Sequence, residues 1–511
     1  MNKILLICTF LVFVSKTVCG QSKKYNLDFD NNNYQSKTLN YEGKTILVRA
    51  FENIVYVSLP IDTSYQVMNI YIPEDYFNGK TINGYSASTA PIFFPNKVGG
   101  YMPAKPATTK ENPFGMRPPL NGEMPPMDGR IPEELPPLNG GMPKMPSTVL
   151  AALSQGYIVA SAGARGRTSK DGKGIYTGKA PAGLVDLKAA IRYLKFNDRK
   201  MPGNANKIIS NGTSAGGAMS ALLGATGNNP DYEPYLTSLG AAKAKDDIFA
   251  VSAYCPITNL DHADMAYEWQ FYGINTYKKG GAFGGNNEVK KLTEEQINVS
   301  KKLKNGFPAY LNSLQLKDKN GNVLTLDNDG NGNFKELVKQ YLIASAQKVL
   351  DNGENLSEFN FLTISNNKVT HIDFDAYLNY LGRQKTPPAF DGLDLSNPEN
   401  MLFGNDTVDK QHFTDFAMKN SSVNATKADE FIVKLMNPMF YIGQNNTSTA
   451  KNWRIRHGEK DKDTGLAISI MLATLLENKG YNVNLELPWE KPHSGDYDLE
   501  ELFQWIDSLC K

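Results

Sequence analysis

The apolar positions of the first half of the chain indicate strands that alternate with helices. Short runs rich in β-branched and aromatic residues predict strands at residues 55–57, 68–72, 158–160 and 208–209. Between the last two of these, apolar residues recur with the spacing of one helix face, at Leu184, Leu187, Ile191 and Leu194. This alternation predicts an α/β fold, with a mostly parallel sheet that carries helices on both faces.

The second half of the chain divides into two parts. Residues 256–437 are rich in Asn and Lys and contain helix-like segments, such as residues 337–350, without regular alternation of strands and helices. The alternation then resumes with a strand, a helix, a strand and a last helix, at residues 453–456, 464–479, 483–487 and from near Asp498. We therefore expect a core in two parts, residues 21–255 and 438–511, with an inserted lid domain over residues 256–437.

A serine between glycines occurs where a predicted strand meets a predicted helix. The pentapeptide is Gly212-Thr213-Ser214-Ala215-Gly216, and residues 217–223 continue as a helix-like stretch. Small neighbours permit the strained turn that lifts a nucleophilic hydroxyl clear of a sheet. Taken alone, the motif is equally compatible with a small-residue turn that has no chemical role, so its partners must decide.

Those partners follow near the C-terminus, in the order Ser, Asp, His that an α/β-hydrolase needs. Asp461 follows one predicted strand and His493 follows the next. A neutral imidazole must take the proton of the serine hydroxyl, and a carboxylate must hold that imidazole in one tautomer. We prefer Asp461 to Asp463 as the acid because it lies four residues past His457, within reach of a strand-end turn. His457 itself is expected to pack at the strand end.

An oxyanion hole needs two backbone N–H groups that face the developing negative charge. We expect one from Ala215, directly after the serine, and the other from Gly100, in the loop that follows the apolar segment 90–95. An ordinary turn is the alternative at Gly99-Gly100, but its position upstream of the serine favours the oxyanion role.

The N-terminus has the pattern of a signal peptide over residues 1–20, with an apolar run at residues 4–14 and a cleavage site after Gly20. That run is far shorter than the roughly 20 residues a spanning helix needs, and we expect no membrane span. The protein is therefore expected to be secreted or periplasmic, with a lipid anchor at Cys19 as an alternative. After cleavage only Cys255 and Cys510 remain, and the sequence leaves their pairing open.

Charge and glycine patterns exclude other classes. The formal net charge is +1, and the absence of a Lys/Arg block gives no basis for a nucleic-acid partner. The glycines around Ser214 lack the lysine of a phosphate-binding loop, and the sequence contains no dinucleotide fingerprint. We expect the chemistry to require no cofactor.

Two segments do not fit the alternating pattern. Residues 105–146 are rich in Pro, Met, Asn and Gly, which favours an extended loop beside the mouth of the site or a surface insertion with no role. Asp327, Asp329 and Asn331 follow the spacing of a calcium loop, but position twelve is Val338 where a bidentate Glu belongs. An Asx-rich turn therefore competes with a structural calcium site, and the missing ligand favours the turn.

Several motifs in fixed order resemble the bacterial tannases (tannin acyl hydrolases, subtype B). They lie at residues 212–217, 258–264, 453–464 and 493–499, and the resemblance runs through most of the mature chain. It implies a serine esterase with Ser214, Asp461 and His493 as its triad, which releases gallate from galloyl esters of tannins and simple gallate esters. The segment 105–146 departs from the family pattern and leaves substrate size open.

The resemblance also implies a galloyl site formed by Lys385, Glu399 and Asp463. Carboxylates can accept hydrogen bonds from adjacent phenol hydroxyls, and an ammonium can donate to phenol oxygens. Taken alone, Lys385 and Glu399 would be interpreted as surface charges. A feruloyl esterase, or another plant-phenolic esterase with the same triad, is the alternative. A non-catalytic surface protein on a hydrolase scaffold is less favoured because serine, acid and histidine are all present.

Overall fold

The computed structural model describes residues 24–110, 147–278 and 288–511. The expected signal peptide at residues 1–20 lies outside the described residues, as does the Pro-rich segment from residue 111 to residue 146.

The described strands fall into one large sheet and two small ones. In chain order they are β1 (Gln35–Tyr41), β2 (Lys44–Val55), β3 (Val67–Pro73), β4 (Pro91–Pro95), β5 (Ile158–Ala162), β6 (Asn204–Thr213), β7 (Ala250–Tyr254), β8 (Thr276–Lys278), β9 (Val289–Lys291), β10 (Leu362–Ser365), β11 (Lys368–Ile372), β12 (Asn452–Arg456) and β13 (Asn482–Glu486).

The described α-helices are α1 (Glu74–Phe77), α2 (Thr148–Ser154), α3 (Ala182–Phe196), α4 (Ala215–Ala225), α5 (Glu233–Ser238), α6 (Leu260–Phe271), α7 (Glu294–Ser313), α8 (Asn333–Asp351), α9 (Phe374–Leu381), α10 (Pro398–Leu402), α11 (Asp415–Lys419), α12 (Glu430–Leu435), α13 (Leu466–Asn478) and α14 (Leu499–Cys510). Short 3₁₀ turns lie at Pro230–Tyr232 and Pro438–Phe440.

The large sheet has nine strands in the order β1-β2-β3-β5-β4-β6-β7-β12-β13. The pairs β1/β2, β2/β3 and β3/β5 are antiparallel, and every pair from β5 to β13 is parallel. All five residues of β4, β5 and β7 are buried, as expected for central parallel strands that are covered on both faces. The structure is thus an α/β-hydrolase fold with a mostly parallel sheet.

The register of the parallel strands brings four loops to one edge of the sheet. Thr213 is paired with Tyr254, Tyr254 with Arg456, and Arg456 with Glu486. These four residues end β6, β7, β12 and β13, so the chain leaves all four strands at the same level. Ligand sites of α/β sheets form at this carboxyl edge. Ser214, Asp461 and His493 all lie in loops that begin there.

The segment between β7 and β12 leaves the large sheet. It forms α6 to α12 and the two small antiparallel sheets β8-β9 and β10-β11. Helix α13 contacts α6 and α8 of this segment as well as strand β13, and ten of its thirteen residues are buried. Because it is covered on both sides, α13 is apolar nearly all round, as a helix between two layers should be.

Most of the predicted elements are confirmed. The strands at residues 68–72, 158–160, 208–209, 453–456 and 483–487 and the helices at residues 184–194, 217–223, 337–350, 464–479 and 498 onward correspond to observed elements.

The strand predicted at residues 55–57 is wrong. Strand β2 ends at Val55 and runs back to Lys44, and Val57 makes only an isolated bridge to Ala241. The apolar positions of β2 are interrupted by a bulge at Asn53, whose φ is 62°, so the alternation that marks a half-buried strand is broken.

The two remaining cysteines do not pair. Cys255 follows β7 and Cys510 ends α14, and both are buried free thiols. Among the described residues, no helix combines the length and the apolar composition that crossing a bilayer demands.

Candidate active site

Ser214 forms the turn between β6 and α4 in a strained conformation. Its φ is 61° and its ψ is −124°, which non-glycine residues rarely adopt. Its N–H donates to the Tyr254 carbonyl over 3.0 Å. A Cβ on Gly212 would lie 2.3 Å from the Gly216 carbonyl oxygen, and one on Gly216 would lie 2.7 Å from the Val98 carbonyl oxygen. The glycines are therefore required for the tight turn, as the pentapeptide predicts for a nucleophile elbow.

Asp461 lies in the loop after β12 and is completely buried. Its Oδ2 is 2.7 Å from His493 Nδ1, and its Oδ1 accepts the backbone N–H groups of Asp463 and Thr464 over 2.8 and 3.3 Å. Burial alone would raise the pKa of this carboxyl. The attraction of His493 and His457, together with the hydrogen bonds, outweighs burial and lowers the pKa to about 2. Asp461 is therefore a carboxylate at neutral pH.

The loop that carries His493 packs against the end of β6, which precedes Ser214. Gly495 packs tightly against Thr213. A Cβ on Gly495 would lie 2.0 Å from Thr213 Oγ1. Asp496 Oδ1 also accepts a hydrogen bond from Asn211 Nδ2 over 2.9 Å. These contacts join the histidine loop to the end of β6.

Burial disfavours the imidazolium form of His493, but the adjacent Asp461 carboxylate outweighs it and raises the histidine pKa well above its usual value. Within the part of the chain that the structure describes, Ser214 Oγ and the His493 ring make no hydrogen bond. Such catalytic hydrogen bonds often tighten only when substrate binds.

The two candidate oxyanion donors are backbone N–H groups without an acceptor in the part of the chain that the structure describes. Within the described residues, the N–H groups of Gly100 and Ala215 donate to no acceptor. Gly100 has a φ of 52°, and the preceding Val98 carbonyl lies against Gly216 of the elbow. The loop of Gly100 thus lies against the elbow that carries Ala215.

The sequence analysis missed Arg167, which holds the Gly100 loop. Its backbone N–H donates to the Tyr101 carbonyl and its Nε donates to the Gly100 carbonyl, each over 2.9 Å. Tyr101 also has a positive φ, of 56°. A Cβ on Gly166 would lie 2.6 Å from the Tyr101 carbonyl oxygen, so only glycine allows this approach. Arg167 therefore holds the carbonyl groups of Gly100 and Tyr101, two successive residues with a left-handed backbone conformation.

Lys385, Glu399 and Asp463 form a charged cluster in which Asp463 lies beside His493. Asp463 Oδ2 is 3.1 Å from Lys385 Nζ and 3.8 Å from His493 Nε2. The Lys385 ammonium also lies over the Phe390 ring, 4.1 Å from its centre. Burial raises the pKa of the Glu399 carboxyl, and the charge of Lys385 opposes that rise. All three predicted side chains are thus close enough to interact with one another.

The segment that carries Lys385 is anchored by buried polar contacts that the sequence did not reveal. The Tyr267 hydroxyl accepts the Lys385 N–H over 3.0 Å and donates to the Lys462 carbonyl over 2.9 Å. Arg383 and Glu268 form an ion pair with both side chains fully buried. Because Lys462 lies between the two aspartates, these contacts tie the segment to the loop of Asp461.

His457 packs at the end of β12, as expected, and it also approaches the acid. Its ring is completely buried, and Nδ1 is 2.8 Å from Ser469 Oγ. Its Nε2 lies 3.4 Å from Asp461 Oδ2. Cys255 is also buried, and it contacts the loop of His493. Its Sγ lies 3.4 Å from the Ser494 carbonyl oxygen.

The candidate calcium loop is organised by its own backbone. Asp327 Oδ1 accepts the N–H groups of Asp329 and Asn331 over 3.0 and 2.8 Å. This is the pattern of an Asx-rich turn. Val338, at the position of the missing glutamate, is buried in the core. A calcium ion here stays a prediction of the sequence alone.

Comparison with known proteins finds relatives along nearly the whole chain. The chain is similar to the tannin acyl hydrolase from Lactobacillus plantarum, with 46% sequence identity and a TM-score of 0.85, over 95% of this chain and 99% of that chain. It is also similar to the Fusobacterium nucleatum tannase, with 49% identity and a TM-score of 0.86, over 95% of this chain and 100% of that chain. A tannin acyl hydrolase in complex with ethyl gallate matches with 46% identity and a TM-score of 0.85, over 95% of this chain and 99% of that chain.

Shorter matches agree with the hydrolase fold. A family model described as BD-FAE matches residues 139–307. Esterase LipC from Mycobacterium tuberculosis is 43% identical over 56 residues, which span 11% of this chain and 14% of that protein.

Proposed function

Because the chain belongs to the tannin acyl hydrolase family, we infer that it hydrolyses galloyl esters and releases gallic acid. The observation that carries this conclusion is the 46% sequence identity to a tannin acyl hydrolase over 95% of the chain. The position of Asp463 beside His493, with Lys385 paired to Asp463, supports it, since these side chains offer the donors and acceptors that phenol hydroxyls need.

Ser214 is the nucleophile in this proposal. Its Oγ attacks the ester carbonyl while His493 Nε2 takes the hydroxyl proton. Asp461 holds Nδ1–H of the same ring and stabilises the imidazolium, as their 2.7 Å contact supports. The N–H groups of Gly100 and Ala215 bind the oxyanion. The imidazolium then returns the proton to the leaving alcohol, and a galloyl ester of Ser214 remains.

Water completes the cycle. His493 takes a proton from the water as it attacks the galloyl-serine carbonyl, and the proton returns to Ser214 Oγ when gallate leaves. Every proton in both half-reactions passes through one imidazole, so no cofactor is needed in this proposal.

The galloyl ring is recognised by the charged side chains of Lys385, Glu399 and Asp463. Asp463 and Glu399 accept hydrogen bonds from phenol hydroxyls, and Lys385 donates to a phenol oxygen. Glu399 is only 6% exposed, so a substrate that left its carboxyl without a partner would lose affinity. We propose that this requirement separates galloyl esters from esters without ring hydroxyls.

The segment between β7 and β12 supplies Lys385 and Glu399, so we propose that it acts as the lid that selects the substrate. We also propose that the protein is exported, on the basis of the apolar run at residues 4–14.

The deciding experiment compares purified protein on methyl gallate and methyl ferulate, with Ser214→Ala as the inactive control. Compared with gallate, ferulate carries a longer acyl chain, a methoxy group in place of one ring hydroxyl and a hydrogen in place of another. Methyl gallate should be hydrolysed with the larger kcat/KM. Preference for methyl ferulate would replace the proposal with a feruloyl esterase, and no serine-dependent hydrolysis of either ester would refute an esterase function.

A further inference from the structure

We propose that His457 is a positioning residue for the acid Asp461, which it contacts through Nε2–H, so that the carboxylate is held between two imidazoles. The proposal rests on the roles assigned above to Asp461 and His493. It assigns His457 a function beyond packing at the end of β12.

The contacts of His457 place its ring rigidly. Its backbone N–H donates to the Glu486 carbonyl over 3.1 Å, which continues the pairing of β12 with β13. Nδ1 lies 2.8 Å from the hydroxyl of Ser469, a fully buried residue of α13. On the other side of the ring, Nε2 lies 3.4 Å from Asp461 Oδ2, and it makes no hydrogen bond within the described residues.

These contacts select one tautomer. If the proton were on Nδ1, it would point at Ser469 Oγ, and the lone pair of Nε2 would face the Asp461 carboxylate. That arrangement is repulsive and leaves the serine hydroxyl without an acceptor. With the proton on Nε2, Ser469 donates to Nδ1, and the nearest charge to Nε2–H is the Asp461 carboxylate, 3.4 Å away. The second tautomer is favoured because it gives the buried Ser469 hydroxyl an acceptor and places a donor, not a lone pair, beside the carboxylate.

The neutral state of His457 suits this role. Burial lowers the pKa of its ring, so it does not carry a charge that would repel the imidazolium of His493 during catalysis. A neutral N–H still stabilises the carboxylate. Asp461 Oδ2 therefore divides its charge between Nε2–H of His457 and Nδ1–H of His493, which is 2.7 Å away.

Two consequences can be measured. Without the His457 donor, Asp461 should attract the proton of His493 more strongly, so the acid limb of the kcat/KM profile should move to higher pH. The carboxylate should also be held less firmly, so kcat should fall while KM changes little. A ring that only fills space would affect stability and leave the acid limb in place.

The test uses three variants and measures kcat/KM against pH with a nitrophenyl acetate, which needs the triad but no galloyl site. Activity on this ester is independent of the galloyl proposal, so the two can fail separately. His457→Leu should shift the acid limb upward, on the order of half to one pH unit, and lower kcat about tenfold. His457→Gln keeps an N–H donor and should lie closer to wild type.

Ser469→Ala is the third variant and covers the case in which His457→Leu does not fold. It keeps the ring but removes the hydroxyl that fixes its tautomer, so the acid limb should move in the same direction by a smaller amount. An unmoved acid limb in Ser469→Ala and in every folded His457 variant would overturn the proposal.

Discussion

Lys385 Nζ lies 3.1 Å from Asp463 Oδ2, and Asp463 is only two residues after Asp461, the acid that contacts His493. The Oδ1 of Asp461 also accepts the backbone N–H of Asp463. The group that is proposed to recognise the substrate and the group that orients the base thus belong to one loop. Contact with a phenol hydroxyl at Asp463 can fix the loop on which proton transfer depends.

Truncation of the galloyl groups should affect substrates according to their ring hydroxyls. We expect a lower kcat/KM for methyl gallate in each of three variants, Lys385→Ala, Glu399→Ala and Asp463→Ala. Each should lose about 1–3 kcal/mol of transition-state stabilisation, because polar partners are left unpaired. The loss should be small for methyl benzoate, which offers no hydroxyls. Steady-state kinetics on both esters measure the difference.

Lys427→Ala is the matched control for these variants, since it removes a lysine that pairs with the exposed Asp415. It should leave both esters unaffected. If methyl gallate and methyl benzoate lost activity equally in the three galloyl variants, those residues would support the fold or the triad and not the ring.

The pH dependence of hydrolysis should report the pairing of His493 with Asp461. The base must be neutral, so activity should be present above the His493 pKa and should fall as pH drops through it. The Asp461 carboxylate raises that pKa. Asp461→Asn removes the negative charge and should therefore move the acid limb of kcat/KM to lower pH, while misorientation of the ring lowers the plateau by about 10⁴.

The same measurement on Asp463→Asn separates the two aspartates. A larger fall in the plateau for every ester with Asp463→Asn than with Asp461→Asn would show that the acid is Asp463.

The sequence was sufficient for the order of the elements but not for their long-range contacts. Ser214 could be found because glycines at its flanks report a tight turn, and Asp461 and His493 because each follows an apolar run. Arg167 gave no such signal, since its partners are carbonyl groups some 67 positions earlier in the chain. Strand β1 and nearly all of β2 were missed, and β2 is half exposed and bulged, so its apolar pattern is irregular.

The galloyl side chains could be predicted only through resemblance. Lys385 and Glu399 lie in irregular chain and a five-residue helix, where spacing carries no information about which residues meet. The position of Lys385 depends on the buried pair Arg383–Glu268 and on Tyr267. Sequence patterns indicate which residues are buried and whether apolar residues recur with the period of a helix or a strand. Neither property determines these polar contacts.

The contact of Gly495 with Thr213 should be essential for the histidine loop. Gly495→Ala would place a methyl group 2.0 Å from Thr213 Oγ1, so the loop must move and carry His493 with it. We expect a large fall in kcat for methyl gallate, because small displacements of a catalytic group are costly. Gly172→Ala is the matched control, as its Cβ would meet nothing within 4 Å. Wild-type activity in Gly495→Ala would show that the loop does not position the base.

Arg167 should act on the oxyanion hole because it holds the peptide groups that bear the candidate donor. Its Nε donates to the Gly100 carbonyl and its N–H to that of Tyr101. Arg167→Met keeps the length and the backbone contact but removes the guanidinium. Loss of an oxyanion donor costs on the order of 10²–10³ in kcat, so displacement of one should cost roughly tenfold or more.

The choice of ester distinguishes this role from substrate binding. The charge of Arg167 also acts on Glu399, so Arg167→Met could weaken galloyl recognition instead. An oxyanion effect lowers kcat on methyl gallate and on a nitrophenyl acetate alike, because both pass through the same tetrahedral intermediate. It should also weaken inhibition by a boronic acid, whose adduct with Ser214 places an oxygen in the hole. The exposed Arg199→Met serves as the control. A loss confined to methyl gallate, with boronic acid inhibition unchanged, would assign Arg167 to the galloyl site and leave the Gly100 loop held by its backbone contacts alone.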